Sequence, residues 1–180
     1  MQNVRNLPAL VMPGVMVLER RPIARPKMFK TLWTKVVTVY YQTTVRALMS
    51  VKRLVDNKDL DLVKSSKEGV AEISLSLIDV WSGHGPFPSV SEMNRIIAKS
   101  GKEPAGISEM ILFAQAIKRQ PIVVPSDDCL AIATRDSLQR GDVNRWPSVS
   151  QDEEHGVMLG LTYDWVVERH HVYVLVIDHI

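Results

Sequence analysis

Three patterns in this 180-residue chain predict an α+β fold, a mainly antiparallel sheet packed by two central helices. Residues 70 to 81 alternate, with Ala71, Ile73, Leu75 and Leu77 on one side and Glu72, Ser74 and Ser76 on the other, the period of a half-buried strand. Two amphipathic stretches follow at once. Finally, Val172 to Ile177 is an unbroken apolar run, as in a strand buried on both faces. Together these predict one domain over residues 31–180, preceded by an N-terminal arm over residues 1–30.

The arm is apolar first and basic after. Leu7 to Leu18 contains Pro8, Pro13 and Gly14, which interrupt a continuous helix, and Arg20, Arg21, Arg25, Lys27 and Lys30 follow. A secretory signal would end in small residues at a cleavage site; a basic, Pro-containing stretch stands there instead, so the protein is not expected to be secreted. The apolar residues Leu10, Val11, Met12, Val15 and Met16 can dip into a membrane surface while the cations meet lipid phosphates. They can equally pack on the core of this chain or of a neighbouring copy.

From Leu32 the chain reads as strand. Trp33, Val37, Val39, Tyr41, Val45 and further odd positions to Val55 are apolar, and the even positions are mainly polar, which predicts a bent strand or two consecutive strands. Residues 45–55 also fit a helix. Asp56 to Asp59 predicts a turn, and Lys64 to Gly69 a polar connection. After the strand at 70–81, Ser89 and Glu92 have the spacing of a capping box. Val90, Met93, Ile96 and Ile97 then share a helical face that Ser100-Gly101 ends. In the second helix Ile107, Met110, Ile111, Ala114 and Ile117 recur at three and four, Lys118 and Arg119 favour its C-terminus, and Pro121 stops it. Ile122–Val124 and Cys129–Ala133, parted by Pro125 to Asp128, predict two short strands or one strand interrupted by a turn. Thr134 to Glu154 is the most polar portion and predicts a surface loop. Gly156–Trp165 and Val172–Ile177 predict a closing hairpin around Glu168-Arg-His-His171.

Composition is that of one sizeable core, 46% hydrophobic and 23% charged. A single cysteine, Cys129, excludes an internal disulfide and a cysteine-based zinc site, and suits a reducing cytoplasm. No run reaches the ~18 apolar residues a spanning helix needs, so the chain is expected to be soluble or peripheral. Net charge is +2, but residues 1–67 carry 13 Lys and Arg against 4 Asp and Glu, and the remainder 9 against 16. A basic end attracts phosphate, of RNA or of anionic lipid, and it also attracts the acidic end of another copy. Alternatively, folding intermixes the two sets of charge on one ordinary surface.

Residues with chemical potential are few. His170 and His171 are adjacent, so a strand would point them to opposite faces and they cannot share a metal; they read as an exposed turn pair. Asp127 and Asp128 beside Cys129 raise a thiol's pKa rather than activate it, so Cys129 reads as structural. His84 lies between two glycines without a motif to supply its partner, and Arg140-Gly141-Asp142 is too short a match to an adhesion tripeptide to carry weight. With no phosphate-binding loop, no nucleophile elbow and no paired-acid signature, the expectation is a non-enzymatic protein. No cofactor, metal or small-molecule substrate is expected.

One resemblance is present. The order strand, Gly85-Pro-Phe-Pro88 turn, helix Ser91-Glu-Met-Asn-Arg-Ile-Ile97, apolar segment Ser108-Glu-Met-Ile-Leu-Phe113, then Gly156–Thr162 and Val174–Asp178, resembles that of rhabdovirus matrix proteins. It covers the chain from about Gly69 onward. The long lysine-rich arm of the vesiculovirus type and its Pro-Pro-x-Tyr motif are missing, so recruitment of budding factors does not carry over. The length suits a shorter, divergent type, for example of plant-infecting members.

The resemblance implies a polymerising viral layer that bridges a membrane surface and the nucleocapsid, in the virion and host cytoplasm. The residues supply a mechanism in which the basic, apolar arm docks on membrane or neighbour, and the acidic loop Asp152, Glu153 and Glu154 receives the next copy's cations. Such head-to-tail contacts do not close and so build layers. A second expectation is a nucleic-acid-binding accessory protein, a silencing suppressor or replication factor, stacking bases on Trp33, Tyr40 and Tyr41. Trp33 and Tyr41 sit on the apolar side and read better as core. A third is an enzyme with an unrecognised site around His84, Asp127, Asp128 and Cys129.

Overall fold

The computed structural model describes residues 29–41, 58–81, 86–122, 129–152, 156–167 and 171–178, without the side chains of Lys58, Cys129 and Asp152. Strand β1 (Lys30–Tyr40) is followed by a 3-10 helix (Lys58–Leu62), β2 (Val70–Asp79) and helix α1 (Val90–Lys99). Then come β3 (Glu103–Pro104), helix α2 (Ile107–Arg119), β4 (Cys129–Ile132), β5 (Leu138–Arg140) and β6 (Val143–Asp152). β7 (Gly156–Tyr163), the one-turn helix α3 (Asp164–Val167) and β8 (Tyr173–Asp178) complete an α+β domain.

The eight strands form an open sheet in the order β1-β2-β8-β4-β6-β5, with β3 paired to β8 and β7 to the other edge of β6. Every pairing is antiparallel except β4 with β8. One face holds α2. Ile73, Leu75 and Leu77 of β2, Leu175 and Ile177 of β8, Val149 of β6 and Leu159 of β7 pack there with Met110, Phe113, Ala114 and Ile117. The other face holds α1, whose Val90, Met93 and Ile97 meet Ile78, Ile132, Val174, Val176 and Val167 of α3.

β8 is therefore the middle of the molecule. Its apolar run is buried on both faces, as its composition predicts, because α1 covers the even residues and α2 the odd ones. The predicted closing hairpin is not formed. β7 turns back on β6, pairing Trp146 with Thr162 and Val149 with Leu159, whereas β8 inserts between β2 and β4. A strand with no polar face gains most from a position where both faces and both edges are covered, and only the sheet centre offers that.

The predicted loop over residues 134–154 is also corrected, since it supplies β5 and β6. Polarity misleads there because the polar groups are spent inside the fold: Arg145 Nη1 lies 2.6 Å from Asp59, Ser148 is buried, and the Trp146 indole donates to Asp164. Pro147 is tolerated in mid-strand because its carbonyl, accepting from the Ala133 N–H at 2.9 Å, faces the gap where β6 passes from β4 to β5. The N–H it lacks would have faced the same gap. Arg140 and Val143 pair across Gly141-Asp142, so the adhesion-like tripeptide is the last residue of β5 followed by a two-residue hairpin turn, with Gly141 at φ 64°.

Candidate interaction surface

β1 alternates as predicted, and its two sides meet different fates. Trp33 packs edge-on against Phe113 at 5.1 Å, and Val39 and Tyr41 are buried. Trp33 and Tyr41 are thus core groups, which removes two of the three bases-stacking residues of the nucleic-acid reading. The opposite side carries Thr34, Val36, Thr38 and Tyr40, all exposed, with Val36 at 54% and Tyr40 at 56%. Across the pair Tyr40–Val70, Val70 of β2 is 62% exposed, so three large apolar side chains lie uncovered at this end of the sheet.

The backbone of β1 is directed likewise. The Tyr41 N–H donates to the Gly69 carbonyl at 2.9 Å, and the pairing with β2 is regular from Trp33 to Tyr40 after a bulge between Thr31 and Trp33. Because neighbouring residues direct their N–H and C=O groups to opposite edges, the odd residues bond β2 and the even residues Thr34, Val36, Thr38 and Tyr40 point away from it. Among the described residues no strand pairs with that outer edge. Lys35 is the only charge between Trp33 and Tyr40, and neither proline nor glycine interrupts the segment. Edge strands are usually guarded by several such devices.

A polar cluster behind β1 holds the strand in place. Tyr41 Oη donates to Glu109 Oε1 at 2.7 Å, and Glu109, fully buried in the first turn of α2, also accepts from the Gly106 N–H and from Arg135 Nη2 at 2.7 Å. Asp136, also buried, accepts from the Ile107 N–H at 2.9 Å and from the Ser66 N–H and hydroxyl. Gly106 is required by close approach: a Cβ there would stand 1.9 Å from Asp136 Oδ2. Burial and the bond to Glu109 push the Tyr41 phenol well above its ordinary pKa. Burial opposes the Arg135 charge, but Glu109 and Asp136 outweigh it and raise its pKa. Every carboxylate oxygen of Glu109 is engaged, so the cluster is a brace for α2 and β1.

A second polar group surrounds His171. Its Nε2 lies 3.0 Å from Asp79 Oδ1, which also accepts from the Trp81 N–H, and the rings of Trp81, Phe87 and Tyr173 stand 4.9–6.0 Å from their neighbours. The exposed-turn reading of His171 is corrected: β2 and β8 pair Asp79 with Tyr173, which brings the carboxylate to the histidine and partly buries it. His170 lies outside the described residues, as do His84, Asp127 and Asp128. Cys129 opens β4 opposite Gln151. Among the described residues no three of His, Cys, Asp or Glu converge to hold a metal ion.

The arm's residues Leu10, Val11, Met12, Val15, Met16, Arg20, Arg21, Arg25 and Lys27 lie outside the described residues, as do Glu153 and Glu154. Lys30, assigned to the arm, is instead the exposed first residue of β1, and Asp152 is the last of β6 where it turns toward β7. Val36 and Val70 were not singled out from sequence. The available signal was Val36 and Tyr40 standing on the otherwise polar side of the alternation. Among the described residues no helix is long and apolar enough to cross a membrane. No protein-family model, curated protein or solved structure matches the chain.

Proposed function

We propose that this chain is a non-enzymatic, matrix-like viral structural protein that self-associates and bridges an anionic membrane surface and the nucleocapsid. The observation that carries the reading is the margin formed by β1: an 11-residue strand whose outer edge has no strand partner among the described residues, flanked by exposed Val36, Tyr40 and Val70. Such an edge is a template for another chain. The basic arm leads directly into it, so a subunit contact and a cationic, apolar segment adjoin in sequence.

The membrane and nucleocapsid roles rest on the arm. Its cations attract phosphate within about 10 Å at ~0.1 M salt, the range over which exposed charges act. Reversing Arg20, Arg21, Arg25 and Lys27 to glutamate is expected to abolish flotation with liposomes containing phosphatidylserine and to weaken salt-sensitive self-association. Sedimentation and flotation of the full chain check this. A protein that stays monomeric at all concentrations and ignores liposomes overturns the reading.

A further inference from the structure

We infer that two copies of this chain join β1 to β1, antiparallel about a two-fold axis through Thr38, so that the sheet runs on from one copy into the next. The inference rests on the self-association reading and specifies its contact. The outer N–H and C=O groups belong to even residues, which restricts pairing to registers in which even faces even. Centring on Lys35 would oppose two like charges and is excluded. Centring on Thr38 opposes Thr38 to Thr38, Val36 to the partner's Tyr40 and Tyr40 to the partner's Val36. These are Thr–Thr and aromatic–β-branched cross-strand pairs, both favourable.

The same register aligns the exposed patch with itself. Val70 neighbours Tyr40 on β2, so the strip Val70, Tyr40, then Val36 of the second copy crosses the joint twice, once in each direction. Lys35 falls opposite Tyr41 of the partner, away from the partner's own Lys35. Both bulky outward residues of β1 thereby meet an apolar neighbour, while the inward face that packs on α2 is unchanged. A two-fold contact of this kind closes on itself, so a layer needs a second, different contact.

The test uses the full chain with Thr38→Lys and Thr38→Glu, alone and mixed in equal amounts, followed by sedimentation velocity. Each variant alone opposes like charges at the axis and is expected to associate severalfold more weakly than the unmodified chain; the mixture opposes unlike charges and recovers association, less so at high salt. Glu72 lies opposite Thr38 on β2, so circular dichroism verifies the fold of each variant. Thr38→Pro serves as a second route: it deletes only an outward N–H, keeps the β1–β2 ladder and is expected to give the same loss. Association of all three variants as strong as that of the unmodified chain overturns the edge contact alone. A mixture as weak as its components overturns the two-fold register. An unmodified chain that never associates overturns the broader reading.

Discussion

The two helices begin in different ways. α1 is capped from within: Ser89 precedes it in extended conformation and its hydroxyl accepts from the Glu92 N–H at 3.3 Å. The reciprocal half of the predicted capping box is not formed, because the Glu92 carboxylate turns to Arg95 at 3.3 Å on the exposed face. α2 is preceded by Gly106, which has no side chain to cap with. Its first amides are met by Glu109 from its own first turn and by Asp136, 29 residues further along than Ile107. A solvent-side start tolerates a local hydroxyl, since water satisfies what remains. A start sealed under the sheet has no water to turn to, so its Gly106 and Ile107 amides are met by carboxylates, and carboxylates there need a cation such as Arg135.

The sharpest way to break this contrast is Glu109→Gln. It removes the carboxylate nearest Arg135 in a buried site but leaves Asp136 and Glu103 each 3.6 Å from the guanidinium, so the cost is expected toward the lower end of the about 3–5 kcal/mol seen when a buried pair is broken. Urea unfolding measures it, and a loss no larger than that of an exposed charge would mean that water enters the cluster.

Tyr41→Phe tests the same end more gently. Loss of the phenol leaves one carboxylate oxygen with fewer donors, at about 1–3 kcal/mol. It also has a pH signature. The folded pKa of Tyr41 is raised, so its contribution is present below the ordinary phenol value of about 10 and is lost as pH climbs above it. Stability measured from pH 8 upward should therefore fall more steeply in the unmodified chain than in the phenylalanine variant. Ser89→Ala at the open start is expected to cost the least, about 1 kcal/mol. A cost equal to that of Glu109→Gln would erase the distinction between the two helix starts.

Legibility followed how local each cause was. Strand β2, both helices, their apolar faces and the end of α1 could all be read directly. The last follows because Gly101 at φ 76° lets Lys102 and Gly101 donate to Ile97 and Ala98, bonds that depend on neighbours in sequence. The place of β8 was not legible, although its burial was. Its composition states that it must be covered, and says nothing of which strands cover it. β6 was missed because Arg145, Trp146 and Ser148 look solvent-bound until Asp59, Asp164 and the neighbouring strands arrive. The outward apolar residues of β1 were hidden for the opposite reason. Val36 and Tyr40 read as ordinary strand formers, and only the absence of a further strand beyond them among the described residues made them a surface.

What the chain's order of residues settled by itself was the local conformation and which side of each segment avoids water, because those depend on periods of two and 3.6 and on caps a few residues away. The folded arrangement alone decided that β8 lies centrally, that Asp136 and Arg135 complete the start of α2, and that β1 stands at the margin. Each of these is a meeting of groups tens of residues apart, and pairwise contacts at that range are chosen by competition among all the strands for covered edges and faces.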